Sequence, residues 1–152
     1  MIEIVDTNDR RAVRNKNNVL ELYDLMINKK KSEEGTARHL HPGYIQHNPL
    51  IPDGSAALGQ FFGKITRERA GARVVVDKII AVGDWVWAHV NFINLFSDDP
   101  ADTGIAGVDI YRMDADGKAV EHWDTLQFVG DPKNAAPMLG PNIPRANPNG
   151  MF

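Results

Sequence analysis

The sequence predicts an α+β domain, with three helices in its first half and long antiparallel strands in its second. Two observations carry this. Apolar residues recur at helical spacing up to Gly71, and beyond it the period changes to that of strands. The 152 residues also match the size of one domain, with no internal repeat.

Thr7 to Lys31 reads as one long helix. Thr7 is placed to cap it, with Asp9 in the first turn, and Ala12, Val13, Val19, Leu20, Tyr23, Met26 and Ile27 form its buried stripe. A short second helix opens at Ser32 and must stop by His41, because Pro42 disfavours helical geometry in the residue before it. Pro42 to Pro49 reads as an extended loop. Asp53-Gly54 then starts a third helix, with Ala57, Leu58, Phe61, Phe62 and Ile65 on one face and Gly71 as its stop. Arg73 to Val82 and Trp85 to Phe96 form a hairpin across Gly83-Asp84. After the polar loop Ser97 to Thr103, Gly104 to Met113 and Lys118 to Val129 form a second hairpin. Residues 131–152 are a Pro- and Asn-rich tail, either a frayed end or an extended arm laid over the domain or a partner.

Bulk composition excludes several function classes. The net charge is −3 and the longest run of like charge is Lys29 to Lys31, so there is no basic stripe for nucleic acid. No apolar run approaches ~18 residues and no signal peptide opens the chain, so membrane association is not expected and a cytoplasmic location is the default. The absence of cysteine removes thiolate catalysis and Cys-ligated metals.

Parity along the strands selects the candidate site. In the last strand Val120, His122, Asp124, Leu126 and Phe128 share one face, which its apolar content marks as the expected interior. In the preceding strand Ile105, Gly107, Asp109, Tyr111 and Met113 share a face. If the hairpin closes at Asp116-Gly117, Asp109 lies near His122, although a register slip of one residue would turn it away. Trp85, Trp87, His89 and Asn91 share a parity and are expected to offer an aromatic wall. Two carboxylates and an imidazole in an apolar pocket suit proton transfer, since burial raises a carboxyl pKa toward the working pH. The same residues suit a satisfied polar pair tying two strands together, and Arg112 with Glu121 suits a cross-strand surface pair. His39 and His41 are two apart on the second helix, and no histidine shows zinc-ligand spacing, so no metal is expected.

Several phrases occur together: Tyr44-Ile-Gln-His-Asn-Pro49, Gly54 to Phe62, Val82-Gly-Asp-Trp-Val-Trp-Ala-His89, Asp109-Ile-Tyr-Arg112 and Gly117-Lys-Ala-Val-Glu-His-Trp-Asp124. In these the chain resembles the SnoaL-like polyketide cyclases of the nuclear transport factor 2-like superfamily, over about residues 8 to 130, with Asn149 to Phe152 also similar to one branch. The resemblance implies three N-terminal helices on a strongly curved, mainly antiparallel sheet of four to six strands, forming a cone with an internal pocket. It also implies a homodimer packed through the sheet, no cofactor, and intramolecular aldol chemistry with an aspartate in the last strand as acid/base. Asp124 matches that aspartate. Where the cyclases often carry a histidine one strand earlier, this chain has Asp109. Related epoxide hydrolases use an arginine where Gly107 stands, which counts against that chemistry.

The expected function is therefore a cofactor-independent acid/base enzyme for a small-to-medium apolar carbonyl compound. Asp124 is the expected base, His122 and Asp109 tune it, and Trp87, His89, Tyr44, His47, Phe61, Phe62 and Tyr23 line the substrate site. The alternatives are a non-catalytic module that holds a hydrophobic ligand in the same cavity, and a dimerising domain with a vestigial pocket.

Overall fold

The computed structural model describes residues 1–130; the Pro/Asn-rich tail lies outside the described residues. Its elements run β1 (Ile2–Val5), α1 (Arg10–Tyr23), a π-helical turn (Asp24–Asn28), α2 (Ser32–His39), β2 (Leu40–Gln46), α3 (Ser55–Glu68), β3 (Arg73–Val82), β4 (Trp85–Ile93), β5 (Ile105–Met113) and β6 (Ala119–Phe128). The helices cover one face of a six-stranded mixed sheet ordered β1-β3-β4-β5-β6-β2. The four central strands are antiparallel, while β1 lies parallel to β3 and β2 parallel to β6.

Local chemistry explains the departures from the sequence expectation. Asp9, not Thr7, caps α1: its Oδ1 accepts from the Arg11 and Ala12 N–H groups at 3.0 Å each. The first helix is α-helical only to Tyr23, then widens into the π-turn, and the chain turns away at Lys30 with φ of 59°. β1 is absent from the sequence expectation, because four residues are too few to establish an alternation. The segment around Pro42, expected as a loop, is strand β2. Pro42 is tolerated there because β2 is an edge strand, with a register shift between Leu40 and Ile45.

One core fills the space between helices and sheet. Ala12, Val19, Leu22 and Tyr23 from α1 pack on Ile79 and Ala81 of β3 and Val86, Ala88 and Val90 of β4, all 2% exposed or less. Among the described residues no helix is long and apolar enough to cross a membrane.

The β5–β6 register sets the site. Met113 pairs with Ala119 but Arg112 pairs with Glu121, so Val120 is an extra, bulged residue in β6. Without that bulge Asp109 would face Trp123 across the ladder. With it, Asp109 pairs with Asp124 and Tyr111 with His122, and all four side chains share the inner face. The bulge also brings Ala119 inward, beside Met113, although simple alternation from His122 puts it outside.

Candidate active site

The inner face of β5 and β6, the segment that follows β2, and the helices enclose a cavity of about 500 Å³. Leu22, Tyr23 and Met26 supply one side, Leu58, Phe61 and Phe62 of α3 another, and Phe92, Leu95, Ile105 and Leu126 much of the remainder. The mouth carries the exposed side chains of Leu50, Phe96 and Phe128. Polar groups gather mainly on one wall: Tyr44, Gln46, Asn48, Asp109, Tyr111, His122 and Asp124.

Asp109 sits deepest. The Tyr23 hydroxyl donates to its Oδ2, while Oδ1 is buried with no hydrogen-bond partner. His122 Nε2 is likewise buried and unpartnered, and the two atoms face each other at 3.9 Å. Asp124 is half-buried nearer the mouth, and the Asn48 Nδ2 group donates to both its oxygens, at 2.8 and 2.9 Å. The Gln46 side chain meets His122 Nδ1 through Oε1 at 3.0 Å.

Burial governs the electrostatics. It pushes Asp109 up from 3.8 to about 7, against the Tyr23 hydrogen bond and with help from the Asp124 charge. It holds His122 down from 6.5 to about 3, assisted by the charge of His47, so the imidazole is neutral at physiological pH. Asp124 is raised by burial, with the Asn48 bonds opposing. Tyr44 is raised well above the usual phenol value, first by burial and then by the nearby carboxylates. At neutral pH the wall thus holds an acid raised into the neutral range, a neutral imidazole and a second carboxyl that burial also raises. The same three residues place ligand atoms within 4.8 Å of one another, the one such group among the described residues close enough to share a divalent cation.

Of the residues expected at the substrate site, the structure places Tyr23, Tyr44, Phe61 and Phe62 on the cavity wall. Three others lie elsewhere. Trp87 and His89 point from the outer face of the sheet, because Val86, Ala88 and Val90 take the inner parity of β4; Trp87 is 48% exposed and His89 lies 3.8 Å from Asp77. His47 also sits outside, stacked on Trp123 with ring centroids 4.6 Å apart and bonded to Glu121 at 3.0 Å. Gln46 and Asn48 also line the cavity, although neither is among the residues expected there. Tyr44 is expected at the cavity, and counting by two along an extended β2 brings in 46 and 48 and turns 47 away. Arg112 and Glu121 form the expected surface pair, 2.7 Å apart.

Residues 19–122 match the model of the SnoaL-like domain. The chain belongs to the SnoaL-like family. Solved structures agree in fold. A protein from Bacillus cereus ATCC 10987, proposed to be a polyketide cyclase, is 18% identical over 82% of this chain and 83% of its own, with a TM-score of 0.68. TsrD from Streptomyces laurentii is 20% identical over 78% of this chain and 90% of its own, with a TM-score of 0.61. A proposed isomerase of the SnoaL-like family from Agrobacterium tumefaciens C58 is 14% identical over 76% of this SnoaL-like chain and 97% of its own, with a TM-score of 0.57. At such identities the likeness is one of fold. No curated protein matches the sequence.

Proposed function

We propose that this SnoaL-like protein is a cofactor-independent acid/base enzyme of aldol or isomerase type, acting on a small-to-medium apolar carbonyl compound. The observation that carries the reading is the convergence of Asp109, His122 and Asp124 at one end of an otherwise apolar cavity, with two of their polar atoms unpartnered. Among the described residues no lysine or arginine lines the cavity, so nothing there would offset the desolvation of an anionic ligand. The apolar walls fit a neutral carbon skeleton, and the polar wall fits its one reacting oxygen.

The step divides the two carboxyls by role. Asp124, held as an acceptor by Asn48, takes a proton from the carbon next to the carbonyl. Asp109 in its protonated form gives its Oδ1 proton to the carbonyl oxygen. The C–H bond breaks, a new O–H bond forms, and the product is an enol that is reprotonated elsewhere or attacks a second carbonyl carbon. Proton transfer by positioned groups of this kind contributes ~100- to 10,000-fold in rate.

Exchange in heavy water tests the reading. Two-ring ketones incubated with the protein should lose their α-hydrogens to deuterium, followed by proton NMR. A ketone that binds with no exchange at neutral pH would instead assign the cavity to ligand carriage, the non-catalytic alternative.

The outer face of the sheet supports a homodimer as its second element. Ile80, Val82, Trp85, Trp87 and Val108 are all exposed there on adjacent strands. Light scattering coupled to size exclusion should give twice the chain mass, and Trp87→Arg should halve it; a monomeric parent protein would remove this element.

A further inference from the structure

Two side-chain amides after the bend of β2 are each fixed by a backbone N–H two residues further on. The N–H of Asn48 donates to Gln46 Oε1 at 2.9 Å, and the N–H of Leu50 donates to Asn48 Oδ1 at 2.9 Å. A backbone N–H can only donate, so each bond identifies the amide oxygen and rules out the flipped amide. Asn48 therefore turns its NH2 toward Asp124, and Gln46 turns its oxygen toward His122 Nδ1. The Gln46 NH2 meets the Tyr44 hydroxyl at 3.1 Å.

Gln46 Oε1 has no proton to give, so the proton in its bond to His122 belongs to Nδ1. The cavity-facing Nε2 is then a bare lone pair, which agrees with its lack of any partner. Opposite it, Asp109 has Oδ2 occupied by the Tyr23 donor, which leaves Oδ1 to carry the acid proton. One wall therefore presents a donor and an acceptor 3.9 Å apart. An oxygen seated about 2.8 Å from both would accept from Asp109 and must itself donate to His122. A ketone or ether oxygen meets only half of that demand. A hydroxyl meets both.

We propose that Gln46, by locking His122 in its Nδ1–H form, makes the cavity select the enol or hydroxyl form of its ligand over the carbonyl form. This rests on the acid/base reading of the cavity and deepens it. The proton that leaves Asp109 becomes the enol O–H. Once Asp109 has taken up a proton again from solvent, that O–H is donated to His122 Nε2 while the enol oxygen accepts from Asp109, two bonds that a carbonyl oxygen cannot make together. Gln46 acts through His122 and is a positioning residue.

Nitrogen NMR of the unliganded protein reads the tautomer directly. The proton should reside on Nδ1 of His122 in the parent protein and in Gln46→Glu, which keeps the acceptor, and should distribute over both nitrogens in Gln46→Met. Calorimetry with a naphthol, its methyl ether and the matching tetralone reads the selection at pH 7. The naphthol, a permanent enol of the same two-ring shape, should bind roughly tenfold or more tighter than the other two, since they leave the Nε2 acceptor unpaired. The margin should shrink in Gln46→Met and persist in Gln46→Glu. A proton on Nε2 in the parent protein overturns the proposal, and so does a naphthol that fails to bind or binds no tighter than its ether. Failure of α-hydrogen exchange alone would count against the catalytic reading and leave the tautomer and the binding margin standing.

Discussion

The two faces of β5 and β6 are built from alternate residues of the same strands, yet they treat ionisable groups in opposite ways. Outside, Glu121 is bonded by both Arg112 and His47, and His47 stacks on Trp123, which in turn meets Trp85 of β4 at 6.0 Å between centroids. Each of these charges has a partner and water within reach. Inside, Asp109 and His122 are buried with one polar atom each left unmatched. An unmatched buried polar group costs stability. The inner face carries that cost where the cavity could use an acid and a base, and the Glu121 cluster outside carries none of it.

Substitutions on the two faces should separate activity from stability. The largest effect is expected from Asp124→Asn, which keeps the shape but removes the base. Its α-hydrogen exchange should fall ~100- to 10,000-fold with an unchanged circular dichroism spectrum. Trp87→Ala, on the outer face, should leave the exchange rate of the monomeric unit unaltered. Equal losses in the two variants would dissolve the distinction between faces.

Asp109→Asn should separate the two faces through pH. The Asp109 carboxyl has a raised value in the folded state, so its contribution to stability is full below about 4 and lost as pH rises through about 7. His122 runs the other way, since its value is lowered from 6.5 to about 3, and its contribution grows with pH across that window. The two slopes oppose between about pH 4 and 6.5 in the parent protein. The Asp109→Asn substitution removes one of them. Denaturant titrations should show this variant gaining stability over the parent as pH rises, by about 4 kcal/mol between pH 3 and 8 if the whole shift is expressed. A difference that is flat with pH would place Asp109 in an ordinary, hydrated setting.

Smaller effects belong to the outer face. Trp123→Ala removes two ring contacts and should cost about 1 kcal/mol beyond its lost burial, read from the denaturation midpoint. Arg112→Ala breaks an exposed ion pair and should leave Tm unchanged, because water competes with such pairs.

The four central strands and three helices are legible in the sequence because each is long enough to show its period. Pairing of Asp109, His122 and Asp124 on one face is legible from parity alone, but the reason it holds is not. It depends on the bulge at Val120, which no local residue type announces. β1 and β2 escape notice because both are edge strands, one four residues long and the other containing a proline. Size and aromaticity point Trp87 toward the cavity. The small aliphatic residues Val86, Ala88 and Val90 beside it fit under the helices far better, and Trp85 and Trp87 are left outside. Gln46 and Asn48 come within reach once the strand is extended past Pro42, since their signal is alternation from Tyr44 and not their residue type.

Carbon NMR titration of the Asp109 carboxyl shows whether this wall holds an acid, because acid catalysis there needs a group that keeps its proton near neutrality. The midpoint should lie near 7 in the unliganded protein. A midpoint near the usual ~4 would contradict it, leaving a charged carboxylate where the mechanism requires an acid.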